Sequence, residues 1–354
     1  MHRARRTYII EFTLLAVGLA LLSACTNAAE EHGVIVLYHH VAEDTPASTS
    51  ISPGQFRTHL EYLRDNDFNV MRLDDMISAL QERRALPDLS VAITFDDGYE
   101  SIFDNAFPLL QEFGFPFALF LSTGPIDRQQ QGYMSWDQVV QLSEAGVLIA
   151  NHMVEHPYML DREPGEEESE WLQRNRQELL TAERRIQEYT GQNHRYLAYP
   201  YGEYNSTLKA MLAAEGFVGL AQNSGATGFE SDFLALPRFP LASIYANLDT
   251  ARTKFTSLAF DVQQLQPESP VTSESRPSSI LKFEPGAYNF SQIGCFANSQ
   301  ALGLDWSNEE ESKLTITVDM DFTGRRWRYI CTAPLPGSDR FYWYSVQWID
   351  PEVN

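Results

Sequence analysis

Apolar and polar positions divide the chain into two textures. From residue 34 to residue 221, short apolar runs of strand length alternate with stretches of helical spacing. Val34 to Tyr38, Val70 to Leu73, Val91 to Phe95, Pro116 to Ser122, Val147 to Ala150, Leu197 to Tyr199 and Phe217 to Ala221 read as strands. Between them, Ser52-Pro53-Gly54-Gln55 opens a helix with an N-cap serine, a first-turn proline and a glutamine that closes a capping box. Its apolar face is Phe56, Leu60 and Leu63. Further helices are expected after Asp74 as cap, from Ser101 to Phe113 with Gly114 as stop, after the second capping box Ser135-Trp136-Asp137-Gln138, over Glu170 to Tyr189, and near Ser206 to Glu215. Alternation of this kind predicts an α/β fold with a parallel sheet, a distorted or incomplete (β/α) barrel.

The texture changes downstream. Residues 264–280 are rich in proline and serine and read as a linker. Beyond it Leu314 to Met320 alternates strictly, and Trp327 to Cys331 and Phe341 to Trp348 follow the turn signals Thr323-Gly324 and Pro336-Gly337. A small all-β, sandwich-like domain is therefore expected over 281–354, after a catalytic domain over 25–263. Its many aromatics read as packing first and sugar stacking second.

Length and composition fit that division: 354 residues, 44% hydrophobic, serve one large domain and one small one. The first 24 residues stand apart. Arg3, Arg5 and Arg6 precede an apolar run, Phe12 to Leu22, that is too short for a membrane span. Leu22-Ser23-Ala24-Cys25 resembles a bacterial lipoprotein cleavage motif, which implies a signal peptide over 1–24 and lipid on Cys25. A plain secretory signal is the alternative. Thr26 after the cysteine implies, by the same resemblance, the periplasmic face of the outer membrane. An exported chain permits disulfides, and the two remaining cysteines, Cys295 and Cys331, are expected to pair. The formal charge is −22, and losing the leader's three arginines and one glutamate leaves −24. That field excludes nucleic acid as a partner and would favour cationic ligands. A monomer is expected.

Chemistry gathers at strand ends. The run Val91 to Phe95 closes in Asp96-Asp97-Gly98, and the next-but-one strand delivers Asn151-His152 with a second imidazole at His156. On a helical turn a spacing of four puts both imidazoles on one face, as a divalent ion needs. Parallel strand ends share one rim, so Asp97, His152 and His156 can meet there and leave coordination positions open. Asp96, alternating away from Asp97 along the strand, is free to act as base. Tyr199-Pro200-Tyr201-Gly202 is a rigid turn able to aim the Tyr201 N–H at an oxyanion.

Taken together, Thr94-Phe95-Asp96-Asp97-Gly98, His152 to His156 followed by Pro157, and Tyr199 to Gly202 resemble the three motifs of the polysaccharide deacetylase family (the NodB-homology domain, carbohydrate esterase family 4) over roughly residues 34–260. The resemblance implies Asp96 as base, a metal on Asp97, His152 and His156, and the Tyr201 amide as oxyanion donor. The metal would be zinc, with nickel, cobalt and iron(II) as the other candidates. Three departures stand out. Met153 replaces the second motif's Ser or Thr. Ala198 replaces an arginine of the third, a gap that Arg238 is suited to fill. All eight histidines lie at or before His194, so the family's late acid histidine is missing. His39 is assigned as acid, with His40 as the fallback, an arrangement similar to the poly-β-1,6-N-acetylglucosamine N-deacetylases. His32, His59 and His194 read as surface or partly buried residues without a role. The expected reaction is removal of acetyl groups from N-acetylglucosamine in a polysaccharide. Chitin oligosaccharide, peptidoglycan and a non-catalytic glycan-binding lipoprotein are the alternatives.

Overall fold

The computed structural model describes residues 29–307, 310 and 312–353. The expected leader over 1–24 and the lipidation at Cys25 lie outside the described residues. Six strands form the centre: β1 (His32–Tyr38), β2 (Ser90–Phe95), β3 (Phe117–Leu121), β4 (Leu148–Asn151), β5 (Tyr196–Ala198) and β6 (Val218–Leu220). They are hydrogen-bonded in parallel and in that order. The helices α1 (Pro53–Asp65), α2 (Leu73–Gln81), α3 (Phe107–Phe113), α4 (Trp136–Glu144), α5 (Glu168–Thr190) and α6 (Ser206–Ala214) supply the crossovers.

The local signals act as chemistry dictates. The Ser52 hydroxyl caps α1 by accepting the Gln55 N–H, and Ser135 with Gln138 forms a complete capping box on α4. Gly114 stops α3 in the left-handed conformation. Asp74 is not a cap: α2 begins one residue earlier, and Asp74 forks the Arg72 guanidinium instead.

The sheet curls into an incomplete barrel. Residues 236–240 span the seam between β6 and β1: Leu236 bridges Leu220, and Phe239–Pro240 pairs in parallel with Val36–Leu37. Alternation separates two apolar clusters. Val34, Val36, Val91, Ile93 and Leu119 pack outward on α1, α3 and α4. Ile35, Ala92, Ala118, Ala150, Ala198 and Phe120 point inward, where α2 plugs the end of the barrel remote from the strand C-termini. The alanines at 92, 118, 150 and 198 leave space in this interior for a further bulky group. That group is Arg238, fully buried with its guanidinium 5.4 Å from the centre of the Phe120 ring.

The C-terminal region is a two-sheet β structure of β7 (Val262–Gln266), β8 (Ser279–Phe283), β9 (Gly294–Ala297), β10 (Lys313–Thr317), β11 (Arg326–Pro334) and β12 (Phe341–Ile349). One sheet contains β12-β11-β9 and the other β7-β8-β10. Leu281, Phe283, Leu314, Ile316, Tyr329, Val346 and Trp348 fill the space between them. Cys295 and Cys331 lie opposite each other on β9 and β11 and are joined by a disulfide. The Pro/Ser-rich segment differs from a spacer between domains. Its first residues belong to β7, and the remainder leads into β8, the antiparallel neighbour of β7. Val262-Gln263-Gln264-Leu265-Gln266 carries too few apolar positions to announce a strand. Among the described residues no helix is long and apolar enough to cross a membrane.

Candidate active site

Asp96 continues the inward alternation of Ala92 and Thr94, so it enters the barrel mouth fully buried. Asp97 does not alternate away from it. Its backbone is left-handed, at φ 75°, and so is that of Gly98, at φ 91°. The turn brings both carboxylates to one place, which corrects the expectation that they diverge. A side chain at Gly98 would sit 2.8 Å from Leu121 Cδ2, so glycine is required on two counts.

The imidazoles follow β4. His152 keeps the inward direction, while Asn151 points outward and donates to the Leu179 carbonyl and the Glu183 carboxylate of α5. The segment 152–156 is a loop, not a helical turn, with Met153 at φ 67° and His156 at φ 53°. Two acceptors brace it with three hydrogen bonds. Asn151 Oδ1 takes the Met153 N–H, and Glu178 Oε2 takes the N–H groups of Val154 and Glu155 at 3.0 and 3.1 Å. Met153, which lacks the hydroxyl expected at its position, is buried among Met159, Trp171 and Leu179 instead. Glu178 and Asn151 were not legible as supports, since helical spacing gives no hint of which loop a polar side chain will meet.

The three donors converge. Nε2 of His152 is 3.2 Å, and Nε2 of His156 3.4 Å, from Oδ1 of Asp97. One ligand atom from each residue lies within 4.8 Å of the others. The carbonyl of Ala198 can only accept, so the 2.7 Å contact with His152 Nδ1 fixes the proton on that nitrogen. Nε2 then turns a lone pair toward a carboxylate oxygen, buried and without a hydrogen-bond partner. Two acceptors facing each other hold a cation between them, a proton or a metal, and the Asp96 and Asp97 carboxylates raise the His152 imidazole above its ordinary value against burial. Burial and the neighbouring His152 press the His156 imidazole down to about 4, so it is a neutral donor at neutral pH. One carboxylate and two imidazoles with room on one side fit a divalent ion of the zinc type.

Arg238 arrives across the barrel seam. Its Nη1 and Nη2 each donate to Asp96 at 2.7 Å, and Nε donates to the Ala221 carbonyl at 2.9 Å. Burial alone would raise the Asp96 carboxyl. The charges of Arg238 and His152 and the two arginine hydrogen bonds outweigh it and hold the group below the usual carboxylate range. For Asp97 burial is likewise overcome, here by the adjacent His152 and by His39 and His156. Asp96 Oδ2 stands 3.9 Å from His152 Nε2.

His39 and His40 separate clearly. His40 is stacked on Tyr99, with ring centroids 3.6 Å apart. His39 is half-buried and close enough to Asp96 and Asp97 for its charge to bear on both. His59, read as surface or partly buried, is fully buried: its Nδ1 accepts the Tyr38 hydroxyl and its Nε2 donates to the Ala246 carbonyl.

Tyr201 sits on a turn with φ 58°, beside Gly202 at φ 70°. Its ring lies against His156, at 4.4 Å, and stacks on Tyr158, at 3.9 Å. Burial and Tyr158 push its phenol up to about 12, so the hydroxyl stays protonated at neutral pH. This turn is gripped from the C-terminal region. Gln347 Nε2 donates to the Gly202 carbonyl at 2.9 Å. Glu203, fully buried, accepts from Arg325 at 2.7 and 2.8 Å and from Arg326 at 2.7 Å. Nothing in the spacing of the sequence connects residue 203 to residues 325, 326 and 347. Asp97, Met153, His156 and Tyr201 are thus four left-handed non-glycine residues around one hollow, a concentration of backbone strain that marks functional sites.

Comparisons with known proteins agree with this geometry. Residues 83–219 match the polysaccharide deacetylase family. The poly-β-1,6-N-acetyl-D-glucosamine N-deacetylase of Escherichia coli K12 is 21% identical over 314 residues, 73% of this chain and 46% of its own length. The enzyme of the same name from Staphylococcus epidermidis is 26% identical over 197 residues, 53% of this chain and 67% of its own. The chain therefore spans about half of the first relative and two thirds of the second. The solved structure of IcaB from Ammonifex degensii superposes with a TM-score of 0.56 at 23% identity, covering 65% of this chain and 99% of that one, a likeness of fold. Residues 83–219 thus carry a polysaccharide deacetylase domain match, within a barrel whose fold is that of a solved deacetylase.

Proposed function

We propose that the protein removes acetyl groups from N-acetylglucosamine units of an extracellular or periplasmic polysaccharide, with poly-β-1,6-N-acetylglucosamine as the substrate. One observation carries this reading: a three-donor cluster beside a second carboxylate that an arginine keeps ionised. The names of the two relatives supply the linkage. A divalent ion on Asp97, His152 and His156, zinc by the donor set, would acidify a water and polarise the acetamide carbonyl. Asp96 accepts the proton of the attacking water as its oxygen adds to the acetamide carbon. The Tyr201 N–H donates to the carbonyl oxygen as that oxygen gains charge. His39, with His40 held in its stack on Tyr99, returns a proton to the nitrogen as the C–N bond breaks. Acetate and a glucosamine unit leave.

The chain acts, on this reading, as a monomer exported under the 1–24 signal and tethered through a lipid on Cys25 at the periplasmic face of the outer membrane. Its catalytic unit is the barrel, and its β unit begins at β7, ahead of most of the Pro/Ser-rich segment. The test is acetate release from defined β-1,6 and β-1,4 oligomers by the protein from Thr26 onward, stripped of metal and then reloaded. Turnover on β-1,6 oligomers that vanishes with the metal is expected. Preference for β-1,4 oligomers would move the substrate to chitin or peptidoglycan. Binding without any turnover would make the protein a glycan-binding lipoprotein.

A further inference from the structure

A cleft of about 740 Å³ opens beside Tyr201, between the deacetylase barrel and the C-terminal sheets. Gln222 and Asn223 line one wall and β11 and β12 the other. Two aromatic rings on its walls are open to solvent, Tyr245 at 46% and Phe296 at 41%. Exposed rings beside amide side chains, in continuity with an active site, suit a sugar chain, whose ring faces stack and whose acetamides and hydroxyls hydrogen-bond.

The charge of this cleft runs against the rest of the molecule. The chain holds 48 acidic and 26 basic residues, yet the described residues lining the cleft include Arg326 and Arg328 and no carboxylate. Lys254 lies directly behind Tyr245, its Nζ 4.4 Å from the ring centre, buried and without a hydrogen-bond partner among the described residues. Arg328 donates to the Gln222 carbonyl at 3.5 Å. Arg326 is neutralised by Glu203, but neither Lys254 nor Arg328 has a carboxylate partner among the described residues. Burial and the charge of Arg328 bring the Lys254 ammonium down to about 8, so it is still mostly protonated at neutral pH.

We propose that this cleft binds the still-acetylated stretch of the glycan and rejects the deacetylated one. The inference rests on the deacetylase reading and adds what that reading leaves open, the side of the site from which substrate comes and the part the C-terminal region plays. N-acetylglucosamine is neutral and its acetyl group accepts hydrogen bonds. Glucosamine carries an ammonium, which meets two unneutralised cations where none of the lining groups is anionic. Reaction therefore converts a unit that fits the cleft into one that is repelled from it, and the chain is biased to move one way past the metal ligands. The excess of negative charge over the whole surface predicts the opposite preference, for partly deacetylated chains.

The test compares two probes, a fully N-acetylated β-1,6 pentamer and its fully de-N-acetylated counterpart, by calorimetry on the full chain carrying Asp96→Asn. The acetylated probe is expected to bind about tenfold more tightly at low salt, with the ratio shrinking as salt screens the cations. Phe296→Ala should weaken the acetylated probe, and Arg328→Gln should strengthen the de-N-acetylated one. Should Asp96→Asn not fold, the same comparison is made on the parent protein, as inhibition of acetate release by the de-N-acetylated probe. Equal affinities for the two probes, or a ratio that ignores both substitutions, overturns the assignment. Acetate release by the parent separates the two readings. Release with an indifferent ratio sinks the cleft alone, and an intact ratio without release sinks the deacetylase reading alone.

Discussion

Asp96 and Glu203 are both fully buried carboxylates forked by an arginine. Arg238 holds Asp96 with two bonds of 2.7 Å and gives its Nε–H to the Ala221 carbonyl. Glu203 takes two bonds from Arg325 and a third from Arg326. Arg325 in turn reaches Asp161 and the Pro351 carbonyl. A carboxylate offers about four lone pairs. Asp96 retains some of them, pointed at the space beside His152, while Glu203 has more of its acceptor capacity taken up by guanidinium. The first pair therefore keeps a reactive group charged and available, and the second fastens a strained turn to another part of the chain. An identical fork does different work depending on what the free side of the carboxylate faces.

Isosteric amides break this comparison most sharply. Asp96→Asn should lower kcat for acetate release by about 10²- to 10⁴-fold, the usual contribution of a general base. Glu203→Gln should leave kcat within about tenfold and act mainly on thermal stability, because it removes charge from a brace and not from the reacting centre. Comparable losses of kcat in both would erase the distinction.

Removing the arginines gives the next largest effects. Arg238→Met strands a buried charge and should destabilise the fold by about 3–5 kcal/mol in denaturant titrations. It should also move the acid limb of the kcat/KM profile to higher pH. Arg238 is what opposes burial at Asp96, so without it the base stays protonated until a higher pH is reached. Arg325→Met leaves Glu203 with Arg326 and should destabilise by about 1–3 kcal/mol, with no movement of the acid limb. A double-mutant cycle of Arg325→Met with Glu203→Gln should return a coupling energy of about 1–3 kcal/mol; additivity would mean that the contact carries no energy.

The smallest effect is expected at Glu178. Glu178→Gln keeps one acceptor for the Val154 and Glu155 amides and removes its charge. Stability should fall by about 1 kcal/mol, and zinc affinity, followed by competition with a chelator, should weaken by about tenfold as the loop bearing His152 and His156 loosens.

Much of the candidate site was legible because its signals are local. A β-branched run ending in Asp96-Asp97-Gly98 can only be a strand feeding a turn, and a second strand ending at His152 must reach the same rim if the strands are parallel. Capping residues set the starts of α1 and α4 to the residue. The path of the chain within the loops was not legible. Two imidazoles four residues apart suggest a helical turn, but Met153 and His156 adopt left-handed angles, and Asn151 and Glu178 capture amides of the loop. Asp97 turned back toward Asp96 for a related reason: period-two alternation holds only while the backbone stays extended.

What the sequence determined, then, is the identity of the reactive groups and the strand ends that deliver them, since propensity, periodicity and turn chemistry act over a few residues. Only the tertiary structure decided their partners. Arg238 meets Asp96 across 142 positions because residues 236–240 span the barrel seam, and Glu203 meets Arg325 across 122 because β11 starts against the Tyr201 turn. The sign of the charge in the neighbouring cleft was decided in the same way. Net charge sums over the whole chain, whereas a ligand responds to the few groups that folding gathers around it.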